Sequence, residues 1–215
     1  MKKFIFSEEE KKSIEQAVAE AEKKTSGEIV PYFIDFADEY KDAAWKGACW
    51  FAGITLLIIS SLAISWNLSV PVTAIEITAA TFIMGIFGFV ISRYYDPLKK
   101  FFASESTMEQ RVEQAAERIF LEQEVFKTRD RTGILILVSY FEHEVVVLGD
   151  TGINAKVKKE DWIDIVNTIV SHIKKGKPAE GLVLGIGQCG ALLHKAGVEI
   201  KPDDTNELSN KLRNV

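Results

Sequence analysis

The chain has 215 residues, of which 27% are charged, and its 26 basic and 31 acidic side chains give a net charge of −5. This length fits one or two domains, and the composition excludes a disordered chain. Because the basic residues are not concentrated in a long run, we do not expect nucleic acid as the main partner. Its two cysteines, of which Cys49 lies in a strongly apolar stretch, do not suggest a disulfide framework, so we expect a reducing compartment.

The first predicted elements are a helix and a strand. Residues 7–10 (Ser-Glu-Glu-Glu) form a capping-box pattern, and apolar side chains then recur at helical spacing. Residues 25–27 (Thr-Ser-Gly) are expected to end this helix, and residues 28–35 are predicted to form a strand. Because the acidic residues come before any apolar run, we do not expect a cleaved signal peptide.

A long segment with almost no charge follows the first strand. Residues 48–66 and 70–92 contain a single ionisable side chain, Glu76, and each is long enough to cross a hydrocarbon core of about 30 Å as a helix. Residues 67–69 leave room only for a tight turn. We therefore predict a transmembrane hairpin at residues 45–92, in contact with the lipid bilayer. The alternative is a helical hairpin buried in a soluble core.

Charges around the two spans predict their orientation. Basic residues flank the outer ends of the spans, whereas the turn between them has none. Two spans place both flanking segments on one side of the membrane, and the positive-inside bias makes that side cytoplasmic. We expect a multi-pass protein of the inner membrane with residues 1–44 and 93–215 in the cytoplasm. The flanking basic residues are Lys41, Lys46, Arg93, Lys99 and Lys100.

Glu76 is the one acidic residue of the predicted spans. We expect it a little over one turn into the second span and near the connecting turn, where its carboxylate can reach the interface or take a proton. The alternative is an ion pathway. That function normally needs more polar partners than two spans supply, unless the chain oligomerises.

After the predicted hairpin, the chain alternates between helices and strands. Residues 106–109 (Ser-Thr-Met-Glu) form a second capping-box pattern, for a helix that ends near Phe126. Residues 133–140 are an unbroken apolar run, which predicts a strand buried on both faces, as in the centre of a sheet covered by helices. Residues 145–148 are predicted to return antiparallel to it and to end at the turn formed by residues 149–152 (Gly-Asp-Thr-Gly).

The last predicted elements are two helices. Residues 160–175 place apolar side chains at helical spacing, and residues 179–195 are ambiguous between helix and strand, with their length favouring a helix. Residues 185–190 (Gly-Ile-Gly-Gln-Cys-Gly) match the GxGxxG pattern that can place a helix N-terminus against a pyrophosphate. Because residues 191–215 are too few for the rest of a dinucleotide unit, we do not expect this site to bind a dinucleotide. We interpret these glycines as positions where a helix packs closely against the sheet.

Four short motifs occur in order along the chain outside the hairpin. They are Thr-Ser-Gly-Glu-Ile at 25–29, Thr-Gly-Ile-Leu-Ile at 132–136, Gly-Asp-Thr-Gly-Ile at 149–153 and Asn-Glu-Leu at 206–208. With this spacing the chain resembles the TPM domain family, and the last motif is similar to the tail of bacterial membrane-associated members. The resemblance covers roughly residues 5 to 35 and 104 to 210, so the hairpin is inserted after the first strand.

The resemblance implies an α/β fold, a three-layer αβα sandwich with a small mixed sheet, here built from residues 1–44 and 93–215. Some family members are implicated in photosystem II repair, and for some, acid phosphatase activity or divalent-metal binding has been reported. Others resemble non-catalytic assembly or quality-control factors. Two functions are therefore open for this chain: a membrane-anchored protein-interaction or quality-control module, and a metal-assisted phosphoester hydrolase.

Three carboxylates are the candidate metal ligands. If the first strand runs parallel to the apolar strand, Glu28 starts the one where Asp130 precedes the other, and the returning strand brings Asp150 to the same end. Carboxylates from three chain segments can bind Ca²⁺ or Mg²⁺ through oxygen, and Arg129 and Arg131 lie nearby to receive an anion. The alternative is that all three are solvated charges at strand ends.

The sequence shows no pattern for covalent phosphatase chemistry. Cys189 is followed six residues later by Lys195, where a cysteine phosphatase needs arginine. Asp35 and Asp38 are one residue too far apart for the pair of an aspartyl-phosphate enzyme. We therefore assign no catalytic residue. The substrate, the protein partner and the oligomeric state stay open.

Overall fold

The computed structural model describes most of the chain, namely residues 3–64, 73–200 and 205–214. The chain divides into two compact units, one formed by Asp38–Met108 and the other by the residues up to Ala37 together with those from Glu109 onward. The predicted turn at residues 67–69 lies outside the described residues.

Two long apolar helices dominate the unit Asp38–Met108. They are α2 (Lys41–Ile64) and α3 (Ala74–Tyr94), and a short helix α4 (Asp96–Phe102) follows. The chain breaks between α3 and α4 at Tyr95, which has an extended backbone, and Pro97 lies in the first turn of α4, where its missing N–H leaves no helical bond unmade. Helix α2 begins before the predicted span. The span was predicted from uncharged residues alone, and the first turn of the helix is charged.

Glu76 lies at the start of α3. The side-chain hydroxyl of Thr73 accepts from the Glu76 N–H at 3.3 Å, and the Glu76 carboxylate accepts from the Thr73 N–H at 2.8 Å. This reciprocal pair is a capping box, which satisfies two backbone donors that the first helical turn leaves unpaired. The predicted depth of more than one turn was wrong, since α3 begins at Ala74 and Glu76 lies in its first turn.

A four-stranded sheet forms the centre of the other unit. Its strands are β1 (Glu28–Ile34), β2 (Gly133–Ser139), β3 (Glu144–Gly149) and β4 (Arg213–Asn214). They lie in the order β3-β2-β1-β4, with β1 parallel to both β2 and β4, and with β3 antiparallel to β2. The sheet is therefore mixed, and β3 forms one of its edges.

Helices cover both faces of this sheet. They are α1 (Glu8–Glu22), α5 (Glu105–Glu122), α6 (Thr151–Asn154), a 3₁₀ helix (Lys159–Trp162), α7 (Ile163–Lys174) and α8 (Pro178–Lys195). Buried side chains of α1, α7 and α8 pack with Ile29 and Phe33 on one face, while α5 packs with Val30 and Tyr32 on the other. This arrangement confirms the three-layer αβα sandwich and the helix at residues 179–195.

The two central strands owe their position to their apolar sequences. Every residue of β1 and β2 is buried. Alternate side chains of a strand point to opposite faces, so a strand covered on both sides needs an unbroken apolar run. The predicted burial of residues 133–140 on both faces is thus confirmed over β2.

Helix α5 differs from its prediction at both ends. It begins at Glu105, so the pattern at residues 106–109 lies inside the helix and the predicted capping box there was wrong. It ends at Glu122 rather than near Phe126, and Glu124 has a left-handed backbone with φ of 55°, which interrupts helical geometry. The first capping box is confirmed, since the Ser7 N–H donates to the Glu10 carboxylate at 2.7 Å.

Candidate functional site

The end of the sheet where β1 and β2 begin carries the three predicted carboxylates. Glu28 opens β1 opposite Gly133, and its N–H donates to the Thr132 carbonyl at 3.1 Å. Asp150 follows β3, and its N–H donates to the Gly133 carbonyl at 2.9 Å. The parallel pair and the antiparallel return confirm the strand arrangement from which the site was predicted.

Asp150 is bound to an arginine at this end of the sheet. Its carboxylate is 4% exposed, with Arg131 Nε 2.7 Å from Oδ2. Arg131 Nη2 donates to Oδ1 at 3.0 Å, and the Thr151 N–H donates to Oδ1 at 2.6 Å, which caps α6. Both oxygens thus contact the guanidinium, and the positive partner that a metal ion would supply is already an arginine side chain.

The other two predicted ligands contact different groups. Arg129 Nη2 donates to Asp130 Oδ2 at 3.3 Å. Glu28 is 6% exposed, and its Oε2 accepts from the Leu208 N–H at 3.2 Å. Throughout residues 3–64, 73–200 and 205–214, no group of three or more His, Cys, Asp or Glu side chains is placed to hold a metal ion. In this arrangement Glu28, Asp130 and Asp150 contact separate partners, and a shared Ca²⁺ or Mg²⁺ site stays a prediction.

A carboxylate that the sequence analysis missed, Glu22, lies beside Glu28. Its Oε1 accepts from the Ile29 N–H at 3.0 Å, and its Oε2 accepts from Asn210 Nδ2 at 2.6 Å. The two glutamates line a cavity of about 250 Å³ that the C-terminal segment, residues 205–210, also borders. The sequence held a signal for Glu22, which follows the buried Val18 by four residues and so lies on the core-facing side of α1.

The protonation of Glu22 is shifted by this environment. The pKa of Glu22 is raised to about 7, mainly by burial and also by the negative charge of Glu28, while the bonds from Ile29 and Asn210 oppose the shift. Burial disfavours the charged form of a carboxyl because the interior solvates charge poorly. Glu22 therefore titrates near neutral pH at a point where the C-terminal segment contacts the sandwich.

A groove runs along the β3 edge of the sheet. It has a volume of about 690 Å³ and lies between α5 and α7. Its floor is formed by residues 144–148, one wall by α5 with Glu109, Glu113 and Glu117, and the other by Trp162, Ile163 and Val166. Ile163 is 54% exposed, so the groove presents an apolar side chain to solvent.

Residues 101–192 match the family model of the TPM domain. The chain carries a TPM domain. The match runs from the end of α4 into α8 and includes β2, β3 and both walls of the groove. Helix α1 and strand β1 precede the matched residues in the chain, and β1 pairs with β2 in the same sheet.

One solved structure supports the same fold. The NMR structure of the BA42 protein from the psychrophilic bacterium Bizionia argentinensis is similar, with a TM-score of 0.59, 22% identity, and coverage of 100% of this chain and 99% of that chain. At this identity, the likeness establishes the fold. The search of curated proteins matches none of them.

Helix α8 of the TPM domain contains the GxGxxG pattern, well inside the helix. A Cβ atom on Gly185 would lie 2.5 Å from the side chain of Ile169, and one on Gly190 would lie 2.8 Å from Ala21. Gly185 and Gly190 let α8 pack closely, but against α7 and α1 and not against the sheet as predicted, and a Cβ atom on Gly187 would meet nothing within 4 Å. Cys189 between them is fully buried, and burial raises the pKa of its thiol to about 12, so the reactive thiolate is disfavoured at neutral pH.

Proposed function

We propose that this chain is a membrane-anchored protein-interaction module, whose TPM domain lies at the cytoplasmic face and recognises another protein during its assembly or quality control. The observation that carries the proposal is the groove along β3, where a strand edge lies between two helices of the TPM domain. Exposed sheet edges of this kind pair with strands of other proteins.

The apolar helices support the membrane anchor. The mean hydropathy is 1.5 in the apolar stretch of Lys41–Ala63 and 2.0 in that of Ala74–Tyr94. Only 6% of each stretch is buried within the protein. Large apolar side chains on both helices, such as Leu57 and Phe82, are about 70% exposed. A hairpin in a soluble core would bury these side chains, so the exposure favours lipid contact.

Photo-crosslinking in native membranes tests the proposed function. With benzoylphenylalanine in place of Ile163, in the groove, we expect a protein adduct of defined mass. With the same group in place of Leu121, which is 63% exposed but outside the groove, we expect none. Adducts of equal yield at both positions, or none at Ile163, would contradict the proposal.

A divalent-metal-assisted phosphoester hydrolase is the second candidate. It is favoured by the position of Glu28, Asp130 and Asp150 at one end of the sheet, and weakened by the contact of Asp150 with Arg131. The test is turnover of a generic phosphomonoester by the full chain in detergent, across pH and with Ca²⁺, Mg²⁺ or Mn²⁺.

If the chain is an interaction module, we expect the metal-dependent turnover of the unmutated chain not to exceed that of a Glu28→Gln variant. Turnover that is lost in Glu28→Gln and in Asp130→Asn, but kept in a matched Asp38→Asn variant, would establish the hydrolase. Glu28→Gln and Asp130→Asn keep the size of each side chain, so this comparison isolates the carboxylate charge.

A further inference from the structure

The backbone of β3 has one side that does not bond to β2. Asp150 N–H donates to the Gly133 carbonyl, and bonded and non-bonded residue pairs alternate along an antiparallel ladder. With the observed register, residues 144, 146 and 148 bond to β2, while Val145 and Val147 direct their N–H and C=O groups away from it. In the part of the chain that the structure describes, β3 is the last strand on this side.

The open stretch has a defined end. The carbonyl of Gly149 also points away from β2, and it accepts from Asn154 Nδ2 at 2.6 Å. This side-chain contact closes the edge at the start of α6. The outward backbone groups are therefore those of Val145, a residue only 4% exposed, and of the half-buried Val147, so a short added strand would bond chiefly with Val147.

Alternate side chains of β3 pack on opposite faces of the sheet, toward the two walls of the groove. Val145 and Val147 pack into the core cluster that includes α7, and Val146 and Leu148 pack into the cluster that includes α5. A strand added at this edge would continue the same alternation. Its side chains would face the apolar wall of α7 and the wall of α5 in turn.

The α5 wall is acidic. Glu109, Glu113 and Glu117 are exposed there, and among the described residues none of them forms an ion pair with a lysine or arginine. Glutamates four residues apart on a helix are separated by about 6 Å along its axis, and alternate residues of a strand by about 6.7 Å. Three basic side chains on one face of a strand therefore match three glutamates on α5.

We infer that the groove along β3 binds an extended segment of a partner protein as an added strand, with Lys or Arg at alternate positions facing α5 and apolar side chains between them facing Ile163 and Val166. This inference names the partner chemistry of the proposed function and rests on it. A second copy of this chain fits less well, because pairing β3 with β3 would bring two rows of glutamates together.

Peptide binding to the full chain in detergent micelles tests the inference. The probe is a fluorescein-labelled Val-Lys-Val-Lys-Val-Lys peptide, and the matched control is Val-Val-Val-Lys-Lys-Lys, which has the same composition without alternation. We expect saturable binding of the first, and binding weaker by about tenfold or more for the second, because its charges cannot all face α5.

Two pairs of variants separate the groove from general electrostatics. A Glu113→Lys/Glu117→Lys variant is expected to weaken binding by about tenfold or more, whereas Glu9→Lys/Glu20→Lys, with the same charge change on α1, stays within about twofold. Val147→Pro removes one outward donor and leaves the β2 side of the ladder intact, since proline is tolerated where the N–H of an edge strand faces solvent. We expect it to abolish binding.

Amide exchange of the unmutated chain gives a readout that does not depend on variants. The peptide should slow exchange at Val145 and Val147, while Val146 and Leu148 are protected with and without it. Unchanged exchange at Val145 and Val147 would overturn the added strand. If a Val-Ser-Val-Ser-Val-Ser peptide slows exchange at these amides as much as the lysine peptide does, the partner need not be basic, which would overturn that part of the inference. If exchange at these amides slows without peptide as the chain self-associates, the occupant is a second copy and not another protein. None of these three results would remove a crosslink at Ile163, so the proposed function is judged separately.

Discussion

Replacing Asp150 by alanine is expected to lower the free energy of unfolding by about 2–3 kcal/mol, from the loss of a helix N-cap and of charge-assisted bonds to a buried carboxylate. The Arg131 side chain is 51% exposed, so water can solvate the guanidinium that is left behind and the loss stays below that of a fully buried pair. Denaturant unfolding of the full chain in detergent measures the change.

The matched control is Asp130→Ala. Its side chain is 32% exposed and its contact with Arg129 is longer, so we expect a loss of about 0.5 kcal/mol or less, in the range of surface ion pairs. If both aspartates were ligands of one metal ion, Ca²⁺ would raise the melting temperature of the unmutated chain and neither variant would respond. Equal destabilisation by the two substitutions would contradict the structural role given to Asp150.

Replacing Glu22 by glutamine is expected to stabilise the protein at pH 8 and to change little at pH 4. The pKa of Glu22 is raised from its ordinary value of 4.5 to about 7, so the folded state holds the proton more tightly than the unfolded state. The stability this provides is fully present below pH 4.5 and is lost as pH rises through about 7. Because Glu22 is partly exposed, we expect a gain of about 1–2 kcal/mol at pH 8.

The measurement is the difference in unfolding free energy between the variant and the unmutated chain at several pH values. Glu15→Gln, on the same helix and away from the Glu28 carboxylate, is the control and should show a flat difference. A flat difference for Glu22→Gln as well would contradict the raised pKa.

The sandwich could be predicted because its strands carry strong local signals. The unbroken apolar run of β2 and the turn after β3 are properties of short segments, and together they placed Glu28 and Asp150 at one end of the sheet. The partners of these carboxylates could not be read in the same way. The contact of Asp150 with Arg131 depends on a left-handed backbone at Arg131, with φ of 57°, and on side-chain directions that sequence spacing does not encode.

Glu22 and the β3 groove show what else the sequence left open. Helical spacing from Val18 places Glu22 on the core-facing side of α1, but its contact with Asn210, 188 positions away, could not be read from the sequence. The apolar sequence of β3 predicted a strand beside β2, but its outer edge depends on the order of all four strands. Glu109, Glu113 and Glu117 follow one face of α5 in the sequence, and only the packing of α5 against the sheet places them along that edge.

Labelling of single cysteines tests most directly whether the TPM domain is held at the cytoplasmic face. In a Cys49→Ser background, where Cys189 is fully buried, one cysteine replaces Glu9, before the apolar helices, or Asp164, after them. We predict that a membrane-impermeant maleimide labels neither position in intact spheroplasts and labels both after permeabilisation. Labelling of either position in intact spheroplasts would contradict the cytoplasmic placement of the domain.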